Sequence, residues 1–146
     1  NSAALDNSHN TYFLARFNTE KFDTASAYTN TDSNYKFVVP SGQAGKYMLY
    51  TSVRVQNNVG TYIVQAFADI RKNGNSLSYH GFDSNQSQHG RHFSVGGSIV
   101  ADLSVGDVIN VYVFVETGDS NNMRLLGGEE STYFGGFKLI WVYQIK

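Results

Sequence analysis

The stretch Phe37–Tyr50, FVVPSGQAGKYMLY, decides the fold because it predicts two strands joined by a sharp corner. It contains Pro40, the only proline of the chain. Proline suits the end of a strand and not its centre, because it lacks an N–H and fixes its own φ. Gly42 and Gly45 follow, and glycine readily takes the positive φ that a tight corner needs. A short strand therefore ends near Pro40, and a longer aromatic strand begins beyond Gly45.

The composition favours an all-β domain. Aromatic residues make up 14% of the 146 residues, charged residues make up 16%, and there are 14 glycines, a balance more typical of a β-sandwich than of a helical protein. Short strands bounded by Gly, Asn, Asp and Ser recur along the chain and predict a two-sheet antiparallel jelly-roll sandwich. The predicted strands are Thr11–Phe17, Tyr35–Val39, Lys46–Gln56, Thr61–Arg71, Ser76–Phe82, Arg91–Asp102, Val108–Val115, Asn122–Leu126 and Thr132–Gln144. We interpret residues 1–146 as a single domain in which residues 1–10 are a linker from an upstream segment.

Charge and cysteine content exclude several classes of function. The formal net charge is −1 and no stripe of Lys and Arg is present, so nucleic-acid binding is not expected. The chain has no cysteine, which excludes a disulfide framework and a thiolate metal site. No apolar stretch approaches the ~20 residues of a membrane-spanning helix, and membrane insertion is not expected.

Some of the predicted strands carry large apolar side chains on both faces. They are 11–17, 61–71, 108–115 and 132–144. In 108–115, four aliphatic residues on one face alternate with Tyr112 and Phe114 on the other, and in 61–71 the pattern puts Ile63 and Phe67 on the second face. A sandwich buries only one face of each sheet.

The second apolar face must be covered, because soluble monomers rarely expose a large aromatic patch. Burial of one such aromatic side chain stabilises by ~2–3 kcal/mol. We therefore predict that these four strands form one sheet whose outer face is an oligomer interface. The alternative is that loops of the same chain fold over that face.

Four motifs in order resemble the globular C1q-like domain of the C1q/tumour-necrosis-factor jelly-roll superfamily, over about residues 12–143. The corner in 37–47 resembles the family's F-x-x-P-x-x-G-x-Y, lengthened by two residues, and 71–74 resembles its K-N-G hairpin. Residues 103–108 resemble the L-x-x-G-D-x-V step, and 131–137 resemble the closing S-x-F-x-G-F. The resemblance implies that each chain is a ten-stranded jelly roll and that three chains form a homotrimer. The first, last and two central strands of each chain are then expected at the three-fold axis. The residues expected at this trimer interface are Tyr12, Phe67, Tyr112, Phe114, Tyr133 and Trp141.

The departures from the animal members of this family carry information of their own. They are the doubled glycine 135–136, the richness in asparagine and the tail 141–146. In these respects the chain looks more like the C-terminal modules of bacteriophage fibres and other virion or bacterial appendages. The implied function is a non-enzymatic, trimeric structural and recognition module on a virion or an extracellular surface appendage. The alternative is a secreted innate-recognition or signalling ligand of the C1q/TNF type.

The expected partners are the chain itself, as a homotrimer, and a host surface glycan or protein, or another virion protein. The contacts are expected from two polar loops, 84–90 and 118–122, because Asn, Ser and Gln side chains offer many weak hydrogen bonds. The candidate residues in these loops are Asn85, Gln88, His89, Asp119 and Asn121.

Two groups of residues could hold a metal. His80, His89 and His92 could form a metal or pH-sensing site. Solvated side chains beside a polar loop are the favoured interpretation, because no cysteine and no matched group of carboxylates supports a metal. Glu116 and Asp119 are candidate calcium ligands, although Asp is also an ordinary turn residue and no EF-hand spacing occurs. No other cofactor is expected.

Catalysis is not expected either. Neighbours in an extended chain point to opposite faces, so Glu129 and Glu130 cannot flank one glycosidic bond together. The sequence contains no Gly-x-Ser-x-Gly elbow, P-loop or HExxH motif.

Overall fold

The computed structural model describes residues 10–31, 34–57, 62–84, 90, 92–118, 123–128 and 130–140. These ranges contain β-strands and no helix, and hence no helix that is long and apolar enough to cross a membrane. The strands are β1 Tyr12–Leu14, β2 Tyr28–Thr31, β3 Asn34–Val38, β4 Gly45–Asn57, β5 Ile63–Lys72, β6 Asn75–Asp83, β7 His92–Leu103, β8 Val108–Thr117, β9 Met123–Leu126 and β10 Tyr133–Lys138.

The strands form two antiparallel sheets, which confirms the predicted jelly-roll sandwich. A six-stranded sheet has the order β2-β3-β8-β5-β6, and β1 also pairs with β8. A four-stranded sheet has the order β10-β4-β7, and β9 also pairs with β4. β1 and β3 share one edge of β8, because β1 pairs with 112–114 and β3 pairs with 108–109.

The inner faces of the two sheets meet in an aliphatic core. Buried and partly exposed residues alternate along β8, as its sequence predicts, and the same alternation runs through most of β4. The fully buried aliphatic side chains are Val39, Leu49, Val53, Val55, Ile63, Ile70, Ile109, Val113 and Val115. Each stabilises the fold by ~1.5–3 kcal/mol relative to exposure in water.

The predicted corner after β3 is confirmed. β3 ends two residues before Pro40, and the Gln43 N–H donates to the Pro40 carbonyl at 3.1 Å. Gly42 has φ 74° and Gly45, where β4 begins, has φ 148°. The Tyr47 hydroxyl donates to the Gln43 carbonyl at 2.6 Å, so the aromatic strand fixes the corner that precedes it.

The expectation that the four two-faced strands form one sheet is wrong for the last of them. β1, β5 and β8 share the six-stranded sheet, but β10 pairs with β4 in the other sheet. There Gly135 lies opposite Tyr50 and Gly136 lies opposite Leu49. A Cβ atom on Gly135 would lie 2.5 Å from the Tyr50 hydroxyl oxygen, and one on Gly136 would lie 2.8 Å from Leu49 Cδ2. The doubled glycine therefore lets β10 pack closely against β4. Of the predicted strand 132–144, residues 141–144 lie outside the described residues.

The predicted face of Ile63 is also wrong. Ile63 is fully buried in the core, on the same face as Ala66. The register of β5 against β8 shifts between Ile63 and Gln65, which lie opposite Thr117 and Glu116, respectively. A bulge of this kind adds one residue and reverses the alternation beyond it.

The two N-terminal strands differ from expectation as well. The apolar alternation does not predict β2, whose sequence YTNT has one large apolar side chain. β1 is shorter than predicted, and pairing with β8 ends after the Ala15 N–H donates to the Val111 carbonyl at 2.9 Å. Of the predicted linker, residues 1–9 lie outside the described residues.

Asp107 joins two of the sequence motifs, the hairpin at 71–74 and the step at 103–108. Its carboxylate accepts hydrogen bonds from the Ser104 N–H and from Asn73 Nδ2, both at 2.8 Å, and lies 2.9 Å from Lys72 Nζ. Asn73 Oδ1 in turn accepts from the Val108 N–H at 2.9 Å. The lysine and these donors lower the pKa of Asp107 from 3.8 to about 2.

We expect Asp107→Asn to lower Tm at pH 7 and to weaken the acid sensitivity of the fold. Because the folded-state pKa lies below the ordinary value, the Asp107 carboxylate stabilises the fold above about pH 4, and this contribution disappears as the pH falls towards 2. Thermal unfolding followed by circular dichroism at several pH values measures both effects. Asp102→Asn is the matched control, since Asp102 also pairs with a lysine, Lys46, but is exposed. Equal loss of Tm between pH 4 and pH 2 in Asp107→Asn and the wild type would contradict the assignment.

Candidate self-association surface

The outer face of the six-stranded sheet carries an aromatic cluster, here called the aromatic face. Its members are Tyr12, Phe67, Tyr79, Tyr112 and Phe114. The antiparallel register brings them together, because Phe114 lies opposite Tyr12 on β1 and opposite Phe67 on β5. Alternate residues of each strand face the same side, so the aliphatic residues between them point into the core.

The rings of the aromatic face contact one another. Phe67 stacks on Tyr79 with 4.4 Å between ring centroids and an angle of 16°, and Tyr12 lies 5.2 Å from Phe114. On β6, Gly81 leaves room for the Phe67 ring, because a Cβ there would lie 2.5 Å from Phe67 Cδ1. The outer rings remain accessible, with Tyr12 41% and Tyr79 48% exposed.

Two tyrosine hydroxyl groups meet at the rim of the aromatic face. Tyr12 Oη donates to Tyr79 Oη at 3.1 Å. Desolvation and the nearby charges of Asp69 and Asp83 raise the pKa of Tyr79 above its ordinary value of 10.0. The Tyr79 hydroxyl therefore stays protonated across the physiological pH range.

An ion pair lies within the aromatic face. Asp69 is only 2% exposed, and its carboxylate accepts from Arg71 Nε at 2.6 Å and from Ser76 Oγ at 2.7 Å. The Arg71 guanidinium lies over the rings of Tyr12 and Tyr112, at 4.7 Å and 4.3 Å from their centroids. Cation–π contact and the ion pair thus hold the arginine in one position and offset its charge.

The structure brings four of the six predicted interface residues together. Tyr12, Phe67, Tyr112 and Phe114 all belong to the aromatic face. Tyr133 lies instead on the outer face of the four-stranded sheet, where it is 42% exposed, and Trp141 lies outside the described residues. That these residues form a trimer interface stays a prediction.

The candidate receptor residues Asn85, Gln88, His89, Asp119 and Asn121 all lie outside the described residues, so their proposed contacts stay predictions. β6 and β8, the strands that precede these two stretches of sequence, end at the same end of the six-stranded sheet. Gln65, near the start of β5, lies opposite Asp83 at the end of β6 and opposite Glu116 near the end of β8.

The described residues contain no group of three or more His, Asp or Glu side chains that could hold a metal ion. His80 lies on β6 beside the Ser78 hydroxyl, whereas His92 is exposed at the start of β7. The calcium candidate Glu116 lies on β8, and its expected co-ligand Asp119 lies outside the described residues.

Sequence reasoning missed Tyr79 and the pair of Asp69 and Arg71. The sequence does carry a signal for Asp69 and Arg71. They lie two residues apart in an apolar strand, and residues with this spacing share a face of the strand. Tyr79 was missed although the hairpin at 71–74 indicates that β6 pairs with β5. The register of that pair shifts between Ile70 and Arg71, and this shift, which puts Tyr79 opposite Asp69, has no signal in the sequence.

We expect Asp69→Asn to destabilise the fold by about 1.5–3 kcal/mol, the value of a hydrogen bond to a charged group. The substitution keeps the size of the side chain but removes the charge that Arg71 and Ser76 contact. Urea unfolding at fixed protein concentration measures the change. Asp83→Asn is the control, since Asp83 is exposed on the same edge strand. Equal urea midpoints for Asp69→Asn and the wild type would show that the ion pair does not support this sheet.

Comparisons with known proteins identify the fold. No protein-family model matches the sequence, and the comparison with curated proteins gives no match. Among solved structures, the globular domain of zebrafish complement 1qA protein aligns with a TM-score of 0.59 and 14% identity, covering 96% of this chain and 91% of that chain. The Eiger TNF structure from S. frugiperda aligns with a TM-score of 0.57 and 14% identity, covering 99% of this chain and 88% of that chain. At this identity the likeness concerns the fold alone, and the chain has the C1q/TNF-like jelly-roll fold that its four motifs predict.

Proposed function

We propose that this chain is a non-enzymatic recognition module that works as a homotrimer, with the aromatic face at the three-fold axis. The observation that carries the proposal is the aromatic face itself. It joins five rings on one side of a sheet, and soluble monomers rarely leave such a patch in water.

The chemistry of the aromatic face suits burial against other copies. Its one fixed cation, Arg71, is already paired with Asp69 and sandwiched by two tyrosine rings. Burial of this arginine therefore does not leave its charge unpaired, which is the usual energetic obstacle to covering a charged side chain. Aromatic residues and arginine are also the residues that contribute most to protein interfaces.

A closed three-fold assembly built on this face leaves the loops around 84–90 and 118–122 available to partners. The described strand ends that flank these loops support the proposal, since Asp83 at the end of β6 and Glu116 near the end of β8 both lie opposite Gln65. We propose that Asn85, Gln88, His89, Asp119 and Asn121 contact a host surface glycan or protein, or another virion protein. Three copies of a weak site give useful avidity when they bind together.

The biological setting that we propose is the tip of a virion fibre or a comparable surface appendage. Its support is the doubled glycine 135–136, the asparagine-rich loops and the tail 141–146, in which the chain resembles bacteriophage modules. The doubled glycine has a structural use here, because it allows β10 to pack against β4.

A secreted recognition or signalling ligand is the second candidate. It is favoured by the two solved structures, one a complement globular domain and the other a TNF. The full-length sequence distinguishes the two settings. A signal peptide followed by collagen repeats would favour the secreted ligand, and a shaft of β-repeats or coiled coil would favour the fibre.

We expect Phe114→Asp to reduce the sedimenting species to single chains. Phe114 contacts both Tyr12 and Phe67, so a carboxylate at this position would be buried without a partner at the centre of the interface. Sedimentation velocity of the variant and the wild type measures the change. The matched control is Phe137→Asp, on the outer face of the four-stranded sheet, which should keep the wild-type mass.

Circular dichroism of the same samples separates loss of assembly from loss of folding. If Phe114→Asp does not fold, Tyr79→Glu gives the same test at a rim position on an edge strand, where a charge costs the monomer less. A folded Phe114→Asp or Tyr79→Glu variant that still sediments as a trimer contradicts the proposed interface.

A further inference from the structure

The outer face of the four-stranded sheet contains a shallow depression of about 370 Å³. It lies on the side of the sandwich opposite to the aromatic face, since each sheet turns its other face to the core. The residues that matter for its chemistry are Tyr50, Ser52, Ser94, Gly96, Ser98 and Tyr133.

The register of three strands builds the depression. Tyr50 on β4 lies between Gly135 on β10 and Ser98 on β7, and in the next row Ser52 lies between Tyr133 and Gly96. Every second residue of a strand faces the same side, so these rows share the outer face. Each row contains one tyrosine and two small residues, so the surface is low beside the rings.

Gly135 is required for the position of the Tyr50 ring. A Cβ on Gly135 would lie 2.5 Å from the Tyr50 hydroxyl oxygen and 2.6 Å from its Cζ. The ring therefore lies across the glycine, where a larger residue would displace it. The Tyr50 and Tyr133 rings are 6.2 Å apart between centroids and inclined by 64°, so they form two walls at an angle.

The polar side-chain groups of the lining residues are hydroxyls, and these side chains carry no charge. Ser52 Oγ donates to the Ser131 carbonyl at 3.0 Å. The hydroxyls of Tyr50, Tyr133 and Ser98 make no hydrogen bond with any part of the chain that the structure describes, so they can bind a ligand without first breaking an internal contact.

The two tyrosine rings and the uncharged hydroxyl groups together favour one class of ligand. An anion or cation would find no opposite charge in the lining, and a purely apolar group would leave the hydroxyls without partners. A sugar ring presents C–H groups on one face, which pack against aromatic rings, and hydroxyls at its edge, which exchange hydrogen bonds with serine and tyrosine. We propose that this depression binds a neutral saccharide unit.

The saccharide site adds a class of ligand to the proposed recognition role, and it depends on the proposed trimer only for avidity. A trimer that buries the aromatic face leaves three of these depressions on its outer surface. A ligand of sugar size at ordinary efficiency binds with a dissociation constant on the order of 1 mM, and three linked sites raise the apparent affinity for a branched or repeated glycan.

The test is saturation-transfer NMR on the full chain with the methyl glycosides of glucose, galactose, mannose and N-acetylglucosamine as separate probes. We expect saturable transfer to at least one of them, with a dissociation constant on the order of 1 mM. Tyr50→Ala and Tyr133→Ala should each weaken that binding at least tenfold, and Tyr50→Phe should show the contribution of the hydroxyl alone. Phe137→Ala is the matched control, since Phe137 is an exposed aromatic of the same strand and face that does not line the depression.

The outcomes separate this inference from the proposed assembly. No transfer to any of the four glycosides at 10 mM, or equal binding by Tyr133→Ala and Phe137→Ala, overturns the saccharide site. Stronger binding of methyl glucuronide than of every neutral glycoside overturns the proposed ligand class. Mass measured on the same sample shows which proposal has failed, since a trimer without sugar binding refutes only the depression. A monomer that binds sugar through Tyr133 supports the depression and refutes the assembly.

Discussion

The register between β5 and β8 is the constraint on which the rest of the structure depends. These strands lie side by side at the centre of the six-stranded sheet, and each has aliphatic side chains on its inner face. The outer face carries Phe67 on β5 and Tyr112 and Phe114 on β8. Because the side-chain period of a strand is two, a slip of one residue would exchange the two sets. If β5 were the strand that slipped, the core would receive Phe67, and the buried Asp69 would have to face the aliphatic residues of the other sheet.

Both ends of this pairing are fixed. At one end, Asp107 and Asn73 tie the hairpin after β5 to the turn before β8 by hydrogen bonds through side chains. At the other end, the bulge after Ile63 returns that side chain to the core. The pairing thus has a polar clamp at one end and a buried aliphatic anchor at the other, and the aromatic face lies between them.

Much of the fold could be predicted from the sequence, because the signals are local. The corner at Pro40 follows from backbone chemistry, and the alternation of β8 shows which residues enter the core. The sheet of β10 could not be predicted, since apolar residues on both faces of a strand do not reveal its partner. The pairing of β10 with β4 depends on Gly135 and Gly136. These glycines fit against Tyr50 and Leu49 only when the topology has brought β4 beside β10.

The same limit applies to the candidate sites. Tyr12, Phe67, Tyr112 and Phe114 could be assigned to one surface because the alternation within their own strands is clear. Tyr79 joins them only through the pairing of β6 with β5, and the depression around Tyr50 requires three strands in register. A site formed by cross-strand neighbours has no spacing signature along the chain.

The most direct test of the account is the absolute mass of the purified wild-type chain, measured by light scattering across a dilution series. The single chain has a mass of 16.2 kDa. A homotrimer that buries the aromatic face of each copy against the others would have three times that mass, unchanged on dilution. A stable species of one chain mass at every concentration would contradict it, since the aromatic face would then be a surface that the monomer keeps in water.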